Sequence, residues 1–187
     1  MSFPFPSPPS SSKDDSSSQH VPLKRHPPGV VLDKDGKPCR TCTSSAEWMA
    51  MMKGATGKKP RAAAAAPIPA PAADCPPDVE ELGRSTWTLL HSIAATYPPT
   101  APPETQSIMQ QFLSTFSKLY PCWVCAEDFQ DWMARPGNAP KVKGQDELGM
   151  WMCQAHNVVN VKLGKKEFDC TLWKERWKDG WKDGRCD

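Results

Sequence analysis

The chain has 187 residues, with 21 prolines, eight cysteines and eight tryptophans, and a formal charge of only +2. That charge is divided as 10 Lys/Arg against 6 Asp/Glu over residues 1–74 and 13 against 15 over residues 75–187, which is no footprint for nucleic acid. No apolar run of about 18 residues occurs, so no membrane-spanning helix is expected, and cysteines at this density point to disulfide or metal chemistry.

The first residues, Met1-Ser2-Phe3-Pro4-Phe5-Pro6, have neither the basic and apolar regions of a secretory signal nor the Arg-rich pattern of a matrix transit peptide. Residues 1–36 are rich in Pro and Ser and predict disorder. Asp35-Gly36-Lys37-Pro38 reads as a turn leading into Cys39-Arg40-Thr41-Cys42, a Cys-x-x-Cys pair. A short helix over 45–52 would present Trp48, Met49 and Met52. Residues 53–74 are a Gly/Lys/Ala/Pro linker, so residues 1–74 read as a disordered arm that carries Cys39 and Cys42 on a mobile tether.

Residues 75–187 read as the folded unit, and all of it as helix. Asp78, with Glu81 three residues on, opens the first helix in the manner of a capping box. Val79, Leu82, Thr86, Leu89/Leu90, Ile93 and Tyr97 form its apolar stripe, and Pro98-Pro99 ends it. The second helix starts near Pro103-Glu104, with Ile108, Met109, Phe112, Leu113, Phe116 and Leu119 on one face. Pro121 stops it and suits the start of a third, over 122–135. The fourth runs over about 145–163, with Leu148, Trp151, Met152, Ala155, Val159 and Leu163 inward and Gly164 as its terminator. A short fifth helix holds Trp173, Arg176 and Trp177. The fold class is therefore an all-α four-helix bundle plus a short fifth helix.

Two features carry chemistry. Cys122 and Cys125 lie at the start of the third helix, where unpaired N–H groups and the positive end of the dipole stabilise a thiolate. The pair reads as a redox dithiol on a helical bundle. Other readings are half of a zinc site completed by Cys39 and Cys42 and a thioredoxin-like motif, which would need a preceding strand. Second, two helices show a non-core face: Gly83, Arg84, Trp87 and His91 on the first, and Cys153, His156, Asn157 and Asn160 on the fourth. Such faces suit a flat heteroaromatic ring, while Arg84, Lys162, Lys165 or Arg176 suit its phosphates. Interior histidines and a core Trp87 would give the same spacing.

At this point the residues resemble a known family. Residues 81–91 (ELGRSTWTLLH), 120–125 (YPCWVC), 153–165 (CQAHNVVNVKLGK), 168–170 (FDC) and 176–181 (RWKDGW) are similar to the motifs of the FAD-dependent sulfhydryl oxidases of the Erv/augmenter of liver regeneration family, in the same order. Residues 35–42 (DGKPCRTC) resemble the shuttle segment of the fungal mitochondrial type. The resemblance implies a FAD-linked thiol oxidase that forms disulfides. Cys125 would be the flavin-proximal thiol and Cys122 the partner that is attacked, with Cys39/Cys42 as the shuttle pair. Gly83, Arg84, Trp87, His91, Cys153, His156, Asn157, Asn160, Lys162, Lys165, Arg176 and Trp177 would hold FAD, with no metal. Cys153–Cys170 would be a structural disulfide. Cys75 and Cys186 would bridge the two subunits of a homodimer or close on each other within one chain. The implied compartment is the mitochondrial intermembrane space, where family members lack a cleavable signal. The implied protein substrate is its import receptor with a Cys-Pro-Cys motif, and the implied electron acceptors are cytochrome c and O2.

Overall fold

The computed structural model describes residues 29–55 and 75–186; the expectations for residues 1–28 and 56–74 lie outside them. The described residues form five α-helices: α1 (Ser45–Ala55), α2 (Val79–Thr96), α3 (Pro103–Leu119), α4 (Trp123–Met133) and α5 (Gln145–Lys162). The only β feature among them is an isolated bridge between Leu32 and Pro38. Helices α2–α5 make the expected bundle, α2 packing on α5 and α3 on α4.

Each helix begins where local chemistry dictates. Asp78 caps α2 by accepting from the Glu80 and Glu81 amides, satisfying two of the donors a helix start leaves open. Pro103 stands at the first position of α3, where its missing N–H costs nothing. After Pro121, Cys122 caps α4. Gly164 ends the α5 region at φ +72°, a conformation that suits glycine.

The core joins Leu90 and Ala94 of α2, Met109 and Leu113 of α3, Trp132 of α4, and Leu148, Trp151, Met152 and Ala155 of α5. A fully buried side chain such as Leu113 or Trp151 stabilises the fold by roughly 1.5–3 kcal/mol. Gln145 ties the two central helices together at one end. Its side-chain amide donates to the carbonyls of Ala95 and Tyr97, at 2.7 and 3.0 Å, which the end of α2 leaves unpaired.

Three expectations change. The apolar stripes are narrower than the periodicity implies: Leu89, Ile108, Leu119 and Leu163 are exposed, at 57, 60, 74 and 49%. These residues sit at stripe edges, where no neighbouring helix reaches them. The fifth helix is replaced by a 3₁₀ turn, Cys170–Leu172, and a π-helical turn, Glu175–Asp179. The segment is pinned from outside: Cys153–Cys170 is a disulfide, and Trp173 lies where a Cβ on Gly149 would come within 2.6 Å of its ring. Finally, residues 29–55 are folded against the bundle. Asp33 organises a turn by accepting from the Asp35 and Lys37 amides, the chain reverses through Gly36 at φ +78°, and Val31 is buried.

Candidate functional site

The first part of the site is the start of α4. Cys122 and Cys125 are joined as a disulfide, and the Cys125 amide donates to Cys122 Sγ at 3.4 Å. The sulfurs therefore sit in the first turn of a helix, where the macrodipole favours negative charge. The preceding element is α3, a helix, so the strand a thioredoxin-like motif requires is not there. Cys39 and Cys42 form their own disulfide, so the two Cys-x-x-Cys pairs are each closed on themselves. The two sulfurs of the core pair differ in surroundings: Cys122 is fully buried, while Cys125 is partly buried.

Cys122 is buried in a cluster that takes in the other dithiol. Val31, Cys42 and Cys122 form one buried cluster, with Cys39, Val79, Tyr120, Trp123, Val124 and Cys125 packed around it. Three polar contacts fix the segment. The Trp123 indole N–H donates to the Leu32 carbonyl at 2.8 Å. The Thr41 hydroxyl donates to the Pro121 carbonyl at 3.3 Å. The buried Thr43 hydroxyl accepts from the Val31 amide at 3.0 Å. Cys42 is wholly buried, whereas Cys39 keeps part of its surface.

The second part lies between α2, α5 and the C-terminal turns. Trp87 stacks on His156 with ring centroids 4.1 Å apart, and His91 stacks on Trp177 at 4.3 Å, each pair within 4° of parallel. His91 Nε2 and His156 Nδ1 are 3.0 Å apart, one donating to the other. Burial holds His91 down to about 3, helped by the adjacent His156 and by Arg176. Burial likewise holds His156 down to about 4, helped by Lys165 and Arg176. Both imidazoles are therefore neutral at physiological pH. His91 Nδ1 is buried without a partner, which costs on the order of 1–3 kcal/mol unless something bonds to it. Arg176 lies over the Trp177 ring at 4.2 Å. Gly83 adds room, since a Cβ there would meet nothing within 4 Å. Flat neutral rings, an unpartnered ring nitrogen and flanking cations fit a heteroaromatic cofactor with an anionic arm.

The structure thus brings together Trp87, His91, His156, Arg176, Trp177 and Lys165. It commits others elsewhere. Asn157 donates to the Phe168 carbonyl at 2.7 Å and accepts from the Phe168 amide at 2.9 Å, and Asn160 donates to Asn157. This pair clamps the loop after α5 instead of presenting free amides. Lys162 is ion-paired with Asp128 on α4, because the last turn of α5 runs beside α4. Arg84 is exposed on α2. Cys153 is held in the disulfide with Cys170. Cys75 and Cys186 are exposed thiols, not bonded to each other within the chain. Sequence reasoning missed Trp123, Thr41, Val31 and Asp128. Their contacts span up to 91 positions, and no local pattern signals them.

The model of the Erv1 / Alr family matches residues 84–178. The mitochondrial FAD-linked sulfhydryl oxidase ERV1 of Saccharomyces cerevisiae is 43% identical over 164 residues, covering 79% of this chain and 86% of that protein. Its Schizosaccharomyces pombe namesake is 38% identical over 164 residues, covering 79% and 90%. The crystal structure of the yeast Erv1 core superposes with a TM-score of 0.56 at 55% identity, covering 59% of this chain and 92% of that one. The FAD binding domain of Erv1 from Saccharomyces cerevisiae gives a TM-score of 0.53 at 55% identity, covering 55% and 96%.

Proposed function

We propose, from the premise that the chain belongs to the Erv1 / Alr family, that it passes electrons through two dithiols in series before they reach its cofactor. It is a FAD-linked sulfhydryl oxidase, an enzyme that forms disulfides. The burial of Cys42 and Cys122 in one cluster carries the reading of the series. Thiol–disulfide exchange needs the attacking sulfur to reach the attacked one directly, and Cys42 and Cys122 are the two cysteines wholly buried in that shared cluster.

A substrate thiolate attacks Cys39, the more accessible sulfur, and forms a mixed disulfide as Cys42 leaves. The second substrate thiol displaces Cys39, so the substrate gains a disulfide and the pair gains two electrons and two protons. The Cys42 thiolate then attacks Cys122 Sγ, and Cys125 leaves as a thiolate at the positive end of α4. Cys39 resolves the Cys42–Cys122 bond, which restores the first disulfide and leaves Cys122 and Cys125 reduced. FAD, when bound, would supply the two-electron acceptor for this dithiol, with cytochrome c or O2 as the final acceptor. Trp87, His91, His156 and Trp177 would hold its flat rings, His91 Nδ1 would gain the partner it lacks, and Arg176, Lys165 and Arg84 would face its phosphates. Gly83 would leave it room.

The enzyme acts in the mitochondrion, and we assign it to the intermembrane space. The protein substrate is the import receptor of that compartment, presenting a Cys-Pro-Cys dithiol. Residues 75–187 are the catalytic domain and residues 1–74 its relay arm. A second copy of the chain would cover the exposed Leu89 and Ile108, with Cys75 and Cys186 as bridges across that homodimer. No helix of the described residues is long and apolar enough to cross a membrane. The test is the purified full chain. It should be yellow, and Cys125→Ser should abolish dithiothreitol oxidation while keeping bound FAD. A colourless, zinc-loaded preparation would contradict the enzyme, and full activity per bound flavin in the variant would contradict the role of Cys125.

A further inference from the structure

Asp78 is the one buried carboxylate among the described residues, at 5% exposure. A buried charge needs donors on both oxygens, and Asp78 draws them from two different helices. Oδ1 accepts from the Glu80 and Glu81 amides at 3.0 and 2.8 Å, which caps α2. Oδ2 accepts from the Ser45 amide at 3.2 Å and from the Ser45 hydroxyl, at the first residue of α1. The positive ends of α1 and α2 therefore converge on one carboxylate, and each stabilises it. Capping α2 alone needs only one acceptor, which serine supplies as well. The second oxygen serves α1.

Helix α1 is not a separate object. It follows Cys42 and Thr43 directly, and its own start is a capping box in which the Ser44 amide donates to Glu47 Oε2 at 3.4 Å and the Glu47 amide donates to the Ser44 hydroxyl at 3.3 Å. The other Glu47 oxygen accepts from the Gly29 amide at 2.6 Å, so both ends of the segment that carries Cys39 and Cys42 are tied to the start of α1. Val79, next to Asp78, packs on the cluster that contains Cys42 and Cys122. One turn of chain thus supplies both the clasp for α1 and part of the wall around the cluster that holds Cys42 and Cys122.

We propose that Asp78 is a positioning residue for dithiol transfer: by capping α1 and α2 with its two oxygens, it holds Cys42 against Cys122. This rests on the relay reading of Cys39/Cys42. The test uses the full chain with FAD bound, carrying Cys39→Ser and Cys125→Ser so that Cys42 and Cys122 remain as the single thiols of their pairs, and Cys75→Ser and Cys186→Ser so that no exposed thiol competes. Diamide then takes two electrons and two protons from them and closes a Cys42–Cys122 disulfide, followed by mass mapping. Asp78→Ser keeps a cap for α2 but lacks the oxygen that meets Ser45. Ser45→Ala leaves Asp78 whole and removes one donor. Each should slow cross-linking roughly tenfold, the scale of one lost hydrogen bond to a charged group. Each should also speed amide exchange of residues 29–55 while the α2 amides exchange as before. Unchanged cross-linking in both variants would overturn the clasp. So would a Ser45→Ala chain that behaves like its parent while Asp78→Ser loosens α2 itself. A parent that never cross-links would overturn the relay reading instead, and the clasp with it.

Discussion

Lowering the pH from about 6.5 to about 5 should destabilise the fold by on the order of 4 kcal/mol through two imidazoles. His91 and His156 are held near 3 and 4 in the folded chain, against an ordinary 6.5. In the unfolded chain both bind a proton below 6.5, while in the folded chain neither does until about 4. Unfolding therefore takes up protons throughout that window, and acid favours it. Each group contributes about 1.4 kcal/mol per pH unit, and both titrate over about 1.5 units. Carboxylates act at lower pH: Asp78, Asp169 and Asp183 lie below the ordinary 3.8, so their contribution is present above that value and lost only as pH falls through it. The assay is urea unfolding of the FAD-free chain at pH 7, 6 and 5, followed by far-ultraviolet circular dichroism. The loss corresponds to a fall in Tm of roughly 10–20 °C for a domain of this size. His91→Gln with His156→Gln should flatten the slope whatever its effect on absolute stability. A midpoint independent of pH from 7 to 5, or a slope that survives the double substitution, would refute the reasoning.

Cys39→Ser with Cys42→Ser should retain oxidation of dithiothreitol, which is small enough to reach Cys122 when the segment lifts. Oxidation of a reduced folded protein should slow by roughly a hundredfold, the scale on which a tethered thiol outcompetes a free one. Equal loss on both substrates, measured as oxygen consumption, would remove the relay role. Gly149→Ala places a Cβ 2.6 Å from the Trp173 ring. Overpacking of about 1–3 kcal/mol is offset by about 1 kcal/mol of helix propensity, so the net stability loss is small. The displaced Trp173 should shift Arg176 and Trp177 away from His91, and FAD affinity should fall more than Tm does. Fluorescence titration with FAD checks this, and wild-type affinity in that variant would contradict it.

Helix boundaries were legible because they are set by residues that act locally. Asp78 at a cap, Pro103 at a first turn, Pro121 as a stop and Gly164 as a terminator each act through their own backbone or one turn away. Burial was legible only along the middle of each stripe. The paired expectation Leu89/Leu90 separates into a side chain 57% exposed and one 2% exposed, because the neighbours that cover a stripe edge come from other helices. The histidine faces on α2 and α5 were legible as helical spacing, but their unpartnered nitrogen was not, since hydrogen-bond satisfaction belongs to the packed set. The protein partners of Asn157 and Lys162, Phe168 and Asp128, were not legible for the same reason: they arrive through the fold.

By itself the sequence determined that Cys122 and Cys125 begin a helix, because Pro121 and the helical pattern after it leave few other conformations. It also determined the family, through motifs spread over the folded unit. Only the tertiary structure decided that residues 29–55 are folded onto the bundle, that Cys122 is covered, and that Cys42 shares its buried cluster. Turn chemistry at Asp33, the clasp at Asp78 and the indole of Trp123 are each weak alone and far apart in the chain. They act together only once the starts of α2 and α4 converge on the Cys39/Cys42 segment, and a one-dimensional pattern holds no record of that proximity.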